Sequence, residues 1–427
     1  MSRLYTAVKL RFSIILLCGT ILYFFANIQR VAFPGAVFDR LQQLYGCEAA
    51  GITGLGASFM FAYALMQPLT GLLLDRYGGS RVFCCGGLIF GIGEFLFARA
   101  GTLPAAYIAQ VLAGIGAGSL YLFLVRENMR IFPKKYNMVL AAIILCGYSG
   151  SVVANAPMLY LIDHFGFRNT LTVNASITVL AWVAAIFLIL PGRLPNVRKA
   201  HTFSPKEFFP VLKIPHNLKL YTFSALNFGL YYVIQTVIGK KFLQDYCSMK
   251  DLDAGWIFSV TGALAAAGGF SFAFLSHFAG ERRQIFCRIA GCSSIAVFGC
   301  IVLLILCGIK NGVVFAALFL LLSSTASLST ILIPLLRETN QEQMVGKAVS
   351  MLNFTFYLAV AGLGNLTGLL LNCFSPVIQD GLRIYGTTAW LTVFIVLFCF
   401  SCPVFYFSFR MQETFGKKII MTSCKRK

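Results

Sequence analysis

Apolar segments of membrane-spanning length recur twelve times along this 427-residue chain. A helix crosses the hydrocarbon core of a bilayer with about 20 apolar residues. The segments lie at 12–38, 51–74, 82–100, 104–132, 137–162, 169–191, 218–241, 254–279, 285–308, 312–336, 346–373 and 386–409, and are numbered here as spans 1 to 12. The chain is 58% hydrophobic and only 12% charged, too few polar groups to cover a globule in water. An all-α integral membrane protein of twelve helices is therefore expected.

The first apolar segment follows Arg3, Lys9 and Arg11. Its length and lack of a small-residue cleavage site mark it as a retained span rather than a removed signal. Fourteen cysteines are scattered mostly through spans, as expected of small hydrophobes rather than a disulfide or metal framework. The net charge of +20 does not point to nucleic acid, because the basic residues sit in short loops rather than along one soluble face. Most of the 35 Lys and Arg lie in the N-terminus, the even-numbered loops and the C-terminal tail. The odd-numbered loops hold nine: Arg30, Arg40, Arg99, Arg168, Lys240, Lys241, Lys250, Lys310 and Arg383. By the positive-inside rule both termini are expected in the cytoplasm, with the cell (inner) membrane as the location.

The longest interruption, 192–217, is rich in Pro, Lys and Arg. It divides the chain into a bundle at 1–191, a central loop at 192–217, a second bundle at 218–409 and a basic tail at 410–427. Between spans 2 and 3 stands GLLLDRYGGSR (71–81). About 200 residues later FLSHFAGERRQIF (274–286) occupies the equivalent joint between spans 8 and 9. Two halves with a degraded repeat are the pattern of transporters built from duplicated helical bundles.

GLLLDRYGGSR resembles the signature loop of the major facilitator superfamily, roughly G-x-L-x-D-R-x-G-x-R-R, and FGFR (165–168) resembles that family's turn after span 5. The resemblance implies two pseudo-symmetric six-helix bundles that move a solute by alternating access. It makes Gly71, Asp75, Arg76, Gly78 and Arg81 gating residues. Gly71 lets span 2 approach a neighbour, Asp75 accepts bonds from a facing helix start and from Arg, and Gly78 permits a turn with positive φ. Departures are informative. Gln110 in AQVLAGIGAG stands where many members carry Arg, and GYSGSVVANAP (147–157) lacks the Gly-Pro pair of drug/proton antiporters, which disfavours multidrug export. The GIGAG run is read as close helix packing, not a nucleotide loop.

Charges within spans are functional candidates by default. YFFANIQRVAFP (23–34) resembles span 1 of the branch that includes lysosomal dipeptide transporters and bacterial relatives. Carried over to the anion-binding role of exchangers with a similar Arg, Arg30 offers a guanidinium fork to a carboxylate or phosphate. Its distance from Arg11 leaves interfacial snorkelling as the other reading. Arg126 either lines the cavity, pairs with Glu127 or Asp75, or snorkels to the cytoplasm. Glu94 is the deep carboxylate within a span, structural or proton-linked.

Uncharged substrate-binding candidates from spans that line the pathway in the family are Tyr63, Gln67, Tyr121, Asn155, Asn227, Tyr231, Tyr232, Gln235, Asn353 and Tyr357. The expected partners are the bilayer, a small carboxylate- or phosphate-bearing solute such as an amino acid, dipeptide, organic acid or sugar phosphate, and a coupling proton or counter-anion. Facilitated diffusion or exchange is expected ahead of proton symport through Glu94. No cofactor, metal or catalytic site is expected, since the four histidines fall in loops or at span ends. A transporter-like receptor or scaffold is the other class.

Overall fold

The structure is a computed structural model, and it describes residues 2–189, 208–379 and 381–420. The central-loop expectation falls largely outside those residues, as does the end of the basic tail. Every expected span is helical. Spans 1 to 4 are Ser2–Ala32, Ala49–Tyr77, Gly79–Arg99 and Leu103–Ile131. Span 5 is Tyr136–Val153 continued by Ala156–Phe165 after a bend of 53°, and span 6 is Phe167–Ile189. Spans 8 and 9 are Asp251–Phe278 and Gln284–Leu306. Span 10 is Gly312–Ser324 with Ser329–Thr339, span 11 Glu342–Asn372 and span 12 Thr387–Ser408.

Span 7 is composite. Helix Pro215–Val233 passes through a π-helical stretch, Ile234–Ile238, into helix Gly239–Asp245. It is the one expected span absent from the ten helices, eleven with the bent pair, that are apolar and long enough to cross a membrane among the described residues. Asn227, Gln235, Thr236, Lys240 and Lys241, all buried, lower its hydropathy.

Two boundaries differ from expectation. Span 1 ends at Ala32 rather than near 38, so Arg30 lies in its last turn. Pro34 cannot donate to a continuing helix. Beyond it, Gly35 approaches span 7 so closely that a Cβ would stand 2.5 Å from the Thr236 carbonyl. The chain continues through a 3-10 turn, Gly35–Val37, and a short helix, Phe38–Tyr45. Between spans 11 and 12 lies a small antiparallel hairpin, Val377–Gln379 (β1) and Leu382–Ile384 (β2), which an apolar-span count does not detect. Among the described residues Cys18 and Cys287 are buried and eight other cysteines are exposed.

The chain forms two compact units. The first comprises Met1–Ala32 and Ser58–Phe203. In it spans 3 and 4 make the most intimate contact, through glycines that leave no room for a side chain. A Cβ on Gly93 would lie 2.5 Å from Ala113 N, and one on Gly116 would collide with Phe90 N. Small residues let helices associate where lipid supplies no hydrophobic drive.

The second unit comprises Phe33–Ala57 and Ser204–Lys427. Spans 7 and 11, and spans 9 and 12, are its main pairs. Gly368 of span 11 packs directly on Thr53 of span 2. Near the repeat joint at 274–286, the Glu413 carboxylate accepts N–H bonds from Arg283 (2.8 Å) and Gln284 (2.9 Å), capping the N-terminus of span 9. Arg283 also pairs with Glu338 (3.1 Å), whose backbone carbonyl accepts from Ile419 N–H (2.7 Å). The first part of the tail is thereby strapped to the ends of spans 9 and 10.

Gly116→Leu should destabilise the protein by about 1–3 kcal/mol or more, the usual cost of overpacking. Gly101→Ala should be silent, because nothing lies within 4 Å of a Cβ there. Thermal unfolding of the detergent-solubilised variants, read by a thiol-reactive dye, checks the contrast.

Candidate functional site

Span 1 positions Arg30 one turn before the Pro34 break. Arg30 is 4% exposed, buried among protein rather than standing at the protein surface. Its Nη2 donates to Asn27 Oδ1 one helical turn back, and its carbon lies 5.8 Å from the Tyr63 ring centroid. Tyr63 in turn stacks on Phe59 at 6.1 Å. A hydrogen bond and a cation–π contact thus set the orientation of the fork. Close by in sequence, Gln29 Nε2 donates to Gln110 Oε1 at 3.2 Å. An amide pair occupies the place where the family pattern has Arg.

Other candidates of the first unit divide into two kinds. Tyr121 meets Tyr23 with rings 5.6 Å apart, adjoining the face of span 1 where Gly147 and Gly150 of span 5 pack on Tyr23, Phe24 and Asn27. Gln67 and Asn155 are buried but bond their own helices, to Tyr63 O (3.4 Å) and Ser151 O (3.0 Å). Asn155 stands in the break of span 5 between Val153 and Ala156. Glu94 is buried beside Thr178 of span 6.

Arg126 lies beside a residue expected to gate, Asp75. Its Nη1 lies 3.0 Å from Asp75 Oδ1, joining the ends of spans 4 and 2. With Asp75 82% exposed, this is a surface ion pair. Arg76 and Arg81 are exposed as well, and Gly78 takes the expected positive φ, 81°. The carboxylate facing a helix start is Glu127 rather than Asp75. Glu127 is buried against Gly79 at the first turn of span 3, where a Cβ would come within 2.5 Å of its Oε1. Glu127 follows Arg126 directly in VREN, and an acid buried one residue after a span-embedded Arg was the available signal.

In the second unit Phe228 gathers Tyr231, Tyr232 and Tyr357, with ring centroids 6.4, 5.0 and 5.8 Å away. Phe356 stacks on it at 5.0 Å. The tyrosines were legible as polar groups within spans, but the phenylalanine at their centre was not. Asn227 is buried and Asn353 half-buried. Gln235 serves helix pairing: it donates to Phe258 O at 2.9 Å and accepts from Thr261 Oγ1, both on span 8.

A further group escaped the span-by-span reading because it sits at helix ends. Lys241, buried, lies 2.6 Å from Asp39 and 2.7 Å from Asp245. Lys–x–x–x–Asp spacing beyond an apolar segment would have flagged the second of these pairs.

Comparison with known proteins matches residues 15–365 to the Major Facilitator Superfamily. A curated relative from Pectobacterium atrosepticum, described as putative multidrug resistance protein MdtD, is 27% identical over 31% of this chain and 28% of its own length. The chain thus matches less than a third of that relative. Among solved structures, a point mutant of the nucleoside transporter NupG superposes with a TM-score of 0.70 at 16% identity, covering 92% of this chain and 98% of that one. A bacterial homologue of the human lysosomal transporter Spinster gives 0.70 at 16% identity, with 94% and 96% covered. These two likenesses concern the fold. With the family pattern running from span 1 into span 11 and the loop at 71–81 in its place, the chain is a multi-pass membrane protein that belongs to the major facilitator superfamily.

Proposed function

We propose that this protein is a secondary transporter moving a small carboxylate- or phosphate-bearing organic solute by alternating access, with both termini in the cytoplasm and the cell (inner) membrane as its location. The observation that carries the solute class is Arg30. A guanidinium held under the surface and oriented by Asn27 and the Tyr63 ring presents a planar fork suited to a carboxylate or phosphate. Burying such a charge is costly, and an anion arriving at it recovers part of that cost. Tyr63 and Tyr121, on the same unit as Arg30, supply aromatic surface for the rest of the solute. The nucleoside transporter and the lysosomal transporter homologue, which share the fold, support a transport reading. The multidrug name of the curated relative is a second reading, which the missing Gly-Pro pair in 147–157 disfavours.

Uptake into proteoliposomes of radiolabelled amino acids, dipeptides, sugar acids and phosphate esters tests the reading. Anionic solutes should accumulate and cationic ones should not. Absence of flux for all of them, with solute binding retained, would favour a receptor. Arg30→Ala should weaken the apparent affinity for the preferred solute at least tenfold, matching about 1.5–3 kcal/mol for a hydrogen bond to a charged group. Arg30→Lys should restore only part of it, because an ammonium lacks the bidentate geometry. Unaltered affinity in Arg30→Ala would assign Arg30 to structure.

For the gate, Asp75→Asn should shift the balance of conformations by no more than about fivefold. An exposed ion pair such as Asp75 with Arg126 is worth roughly 0.2–1 kcal/mol. Transport rate measured at equal expression reads the change, which Arg126→Gln should reproduce without adding to it.

A further inference from the structure

The end of span 7 next to the odd-numbered loops carries two clusters of charge, all within the second unit. Lys241 is 1% exposed. Its ammonium touches Asp39 Oδ1 (2.6 Å), Asp245 Oδ1 (2.7 Å) and the Arg383 carbonyl of β2 (2.6 Å). Asp245 is 2% exposed, and its Oδ2 accepts the Tyr385 N–H at 3.0 Å. The Tyr385 ring lies 6.0 Å from the ammonium. Lys240 turns the other way, donating to Ala36 O (2.5 Å) and to Asp251. Asp251 also takes Arg40 (3.5 Å) and Gln244 (3.0 Å).

Charge is therefore divided unevenly. Asp251 faces two cations, but it is 40% exposed and water screens the surplus. Lys241 faces two carboxylates where no such screening is at hand; Asp39 also lies within Coulombic reach of Lys240, whereas Asp245 has Lys241 as its cation. Two carboxylates sharing a dry site do not both ionise readily, and one retains its proton. Asp245 lies four residues beyond the apolar stretch 218–241. Burial pushes its carboxyl up to about 7 and Asp39 adds to the rise, while Lys241 and the Tyr385 N–H oppose it.

We propose that Asp245, with Asp39 and Lys241, is a proton-binding site whose occupancy controls the docking of helix Phe38–Tyr45 on the end of span 7. This rests on the reading of the chain as an alternating-access transporter, in which contacts at the ends of spans must form and part once per cycle. With the proton on Asp245 the trio is neutral and the helix is held. Release of that proton to water leaves two carboxylates on one ammonium, and their repulsion favours parting. Asp245 holds its proton up to about pH 7 when docked and only to about 4, the ordinary carboxylate value, when exposed to water. Docking is therefore strongest below the lower value, weakens as pH rises between the two and is constant above the upper. Within that window each pH unit changes the docked-to-parted ratio by up to about tenfold. The expectation of diffusion or exchange ahead of proton coupling, which considered Glu94 alone, gives way to a linkage through this second carboxylate.

Hydrogen–deuterium exchange of the native chain in proteoliposomes, without solute and corrected for intrinsic rates, tests this directly. Protection of the 38–45 amides should fall from pH 5 to pH 7.5 and then level off. Amides of 286–305 should show no such step. In Asp245→Asn, which mimics the protonated form, protection should stay high throughout. In Asp39→Asn the step should move to lower pH, an outcome that serves even if the first variant does not fold. A pH-independent protein, or a step left in place in both variants, would overturn the proposal. No solute enters the measurement, so its failure is distinguishable from failure of the uptake panel, which bears on the transport reading alone.

Discussion

Within hydrocarbon no water is at hand to pair a backbone amide, so its partners must come from the protein, and the structure is organised by that requirement. Each span is helical because an unpaired N–H or C=O there costs several kcal/mol. What distinguishes this chain is where the helices are interrupted: after Ala32, at Asn155, at 234–238 and between Ser324 and Ser329. Irregular backbone at such depth is tolerated where protein covers it. Gly35 fits against the Thr236 backbone, and Gly268 against the Ser324 carbonyl. Gln235 of the π stretch bonds the Phe258 carbonyl of span 8. Three of the four interruptions fall on spans that carry polar candidates, spans 1, 5 and 7.

Hydropathy and span length were enough to read the fold from the sequence, because the bilayer imposes one periodic constraint on every segment. GLLLDRYGGSR was legible for a different reason: it resembles the family's signature loop, and Gly78 has the positive φ that such a turn needs. Side-chain partnerships were less accessible. Arg30 was visible as a charge in a span, but nothing in the sequence says that Asn27 and Tyr63 orient it. Arg126 could as well have lined a cavity as met Asp75, since one helical turn separates the two outcomes.

The Lys241 trio was hidden by a counting habit. Lys240 and Lys241 read as two basic residues of an odd-numbered loop, which is how topology uses them. Their three-dimensional meaning needs Asp39, some 200 residues away, and the carbonyl of Arg383 in a hairpin that no apolar count detects. Buried ion pairs of distant residues depend on tertiary contact alone and leave little trace in a single sequence.

The π-helical stretch of span 7 gives those lysines different addresses. Neighbours in a helix point about 100° apart, and one residue inserted as a π-bulge turns everything beyond it by the same angle. Lys241 faces Asp39 and Asp245, while Lys240 faces Asp251 and the Ala36 carbonyl. Deleting one residue between 234 and 238 would leave the composition of the span nearly unchanged yet rotate its charged end by one position. The assignment of two buried charges to their counter-ions is thus stored as a count of residues in the helix, not in the identity of the lysines, and an insertion or deletion upstream could rewire it without touching any charged group.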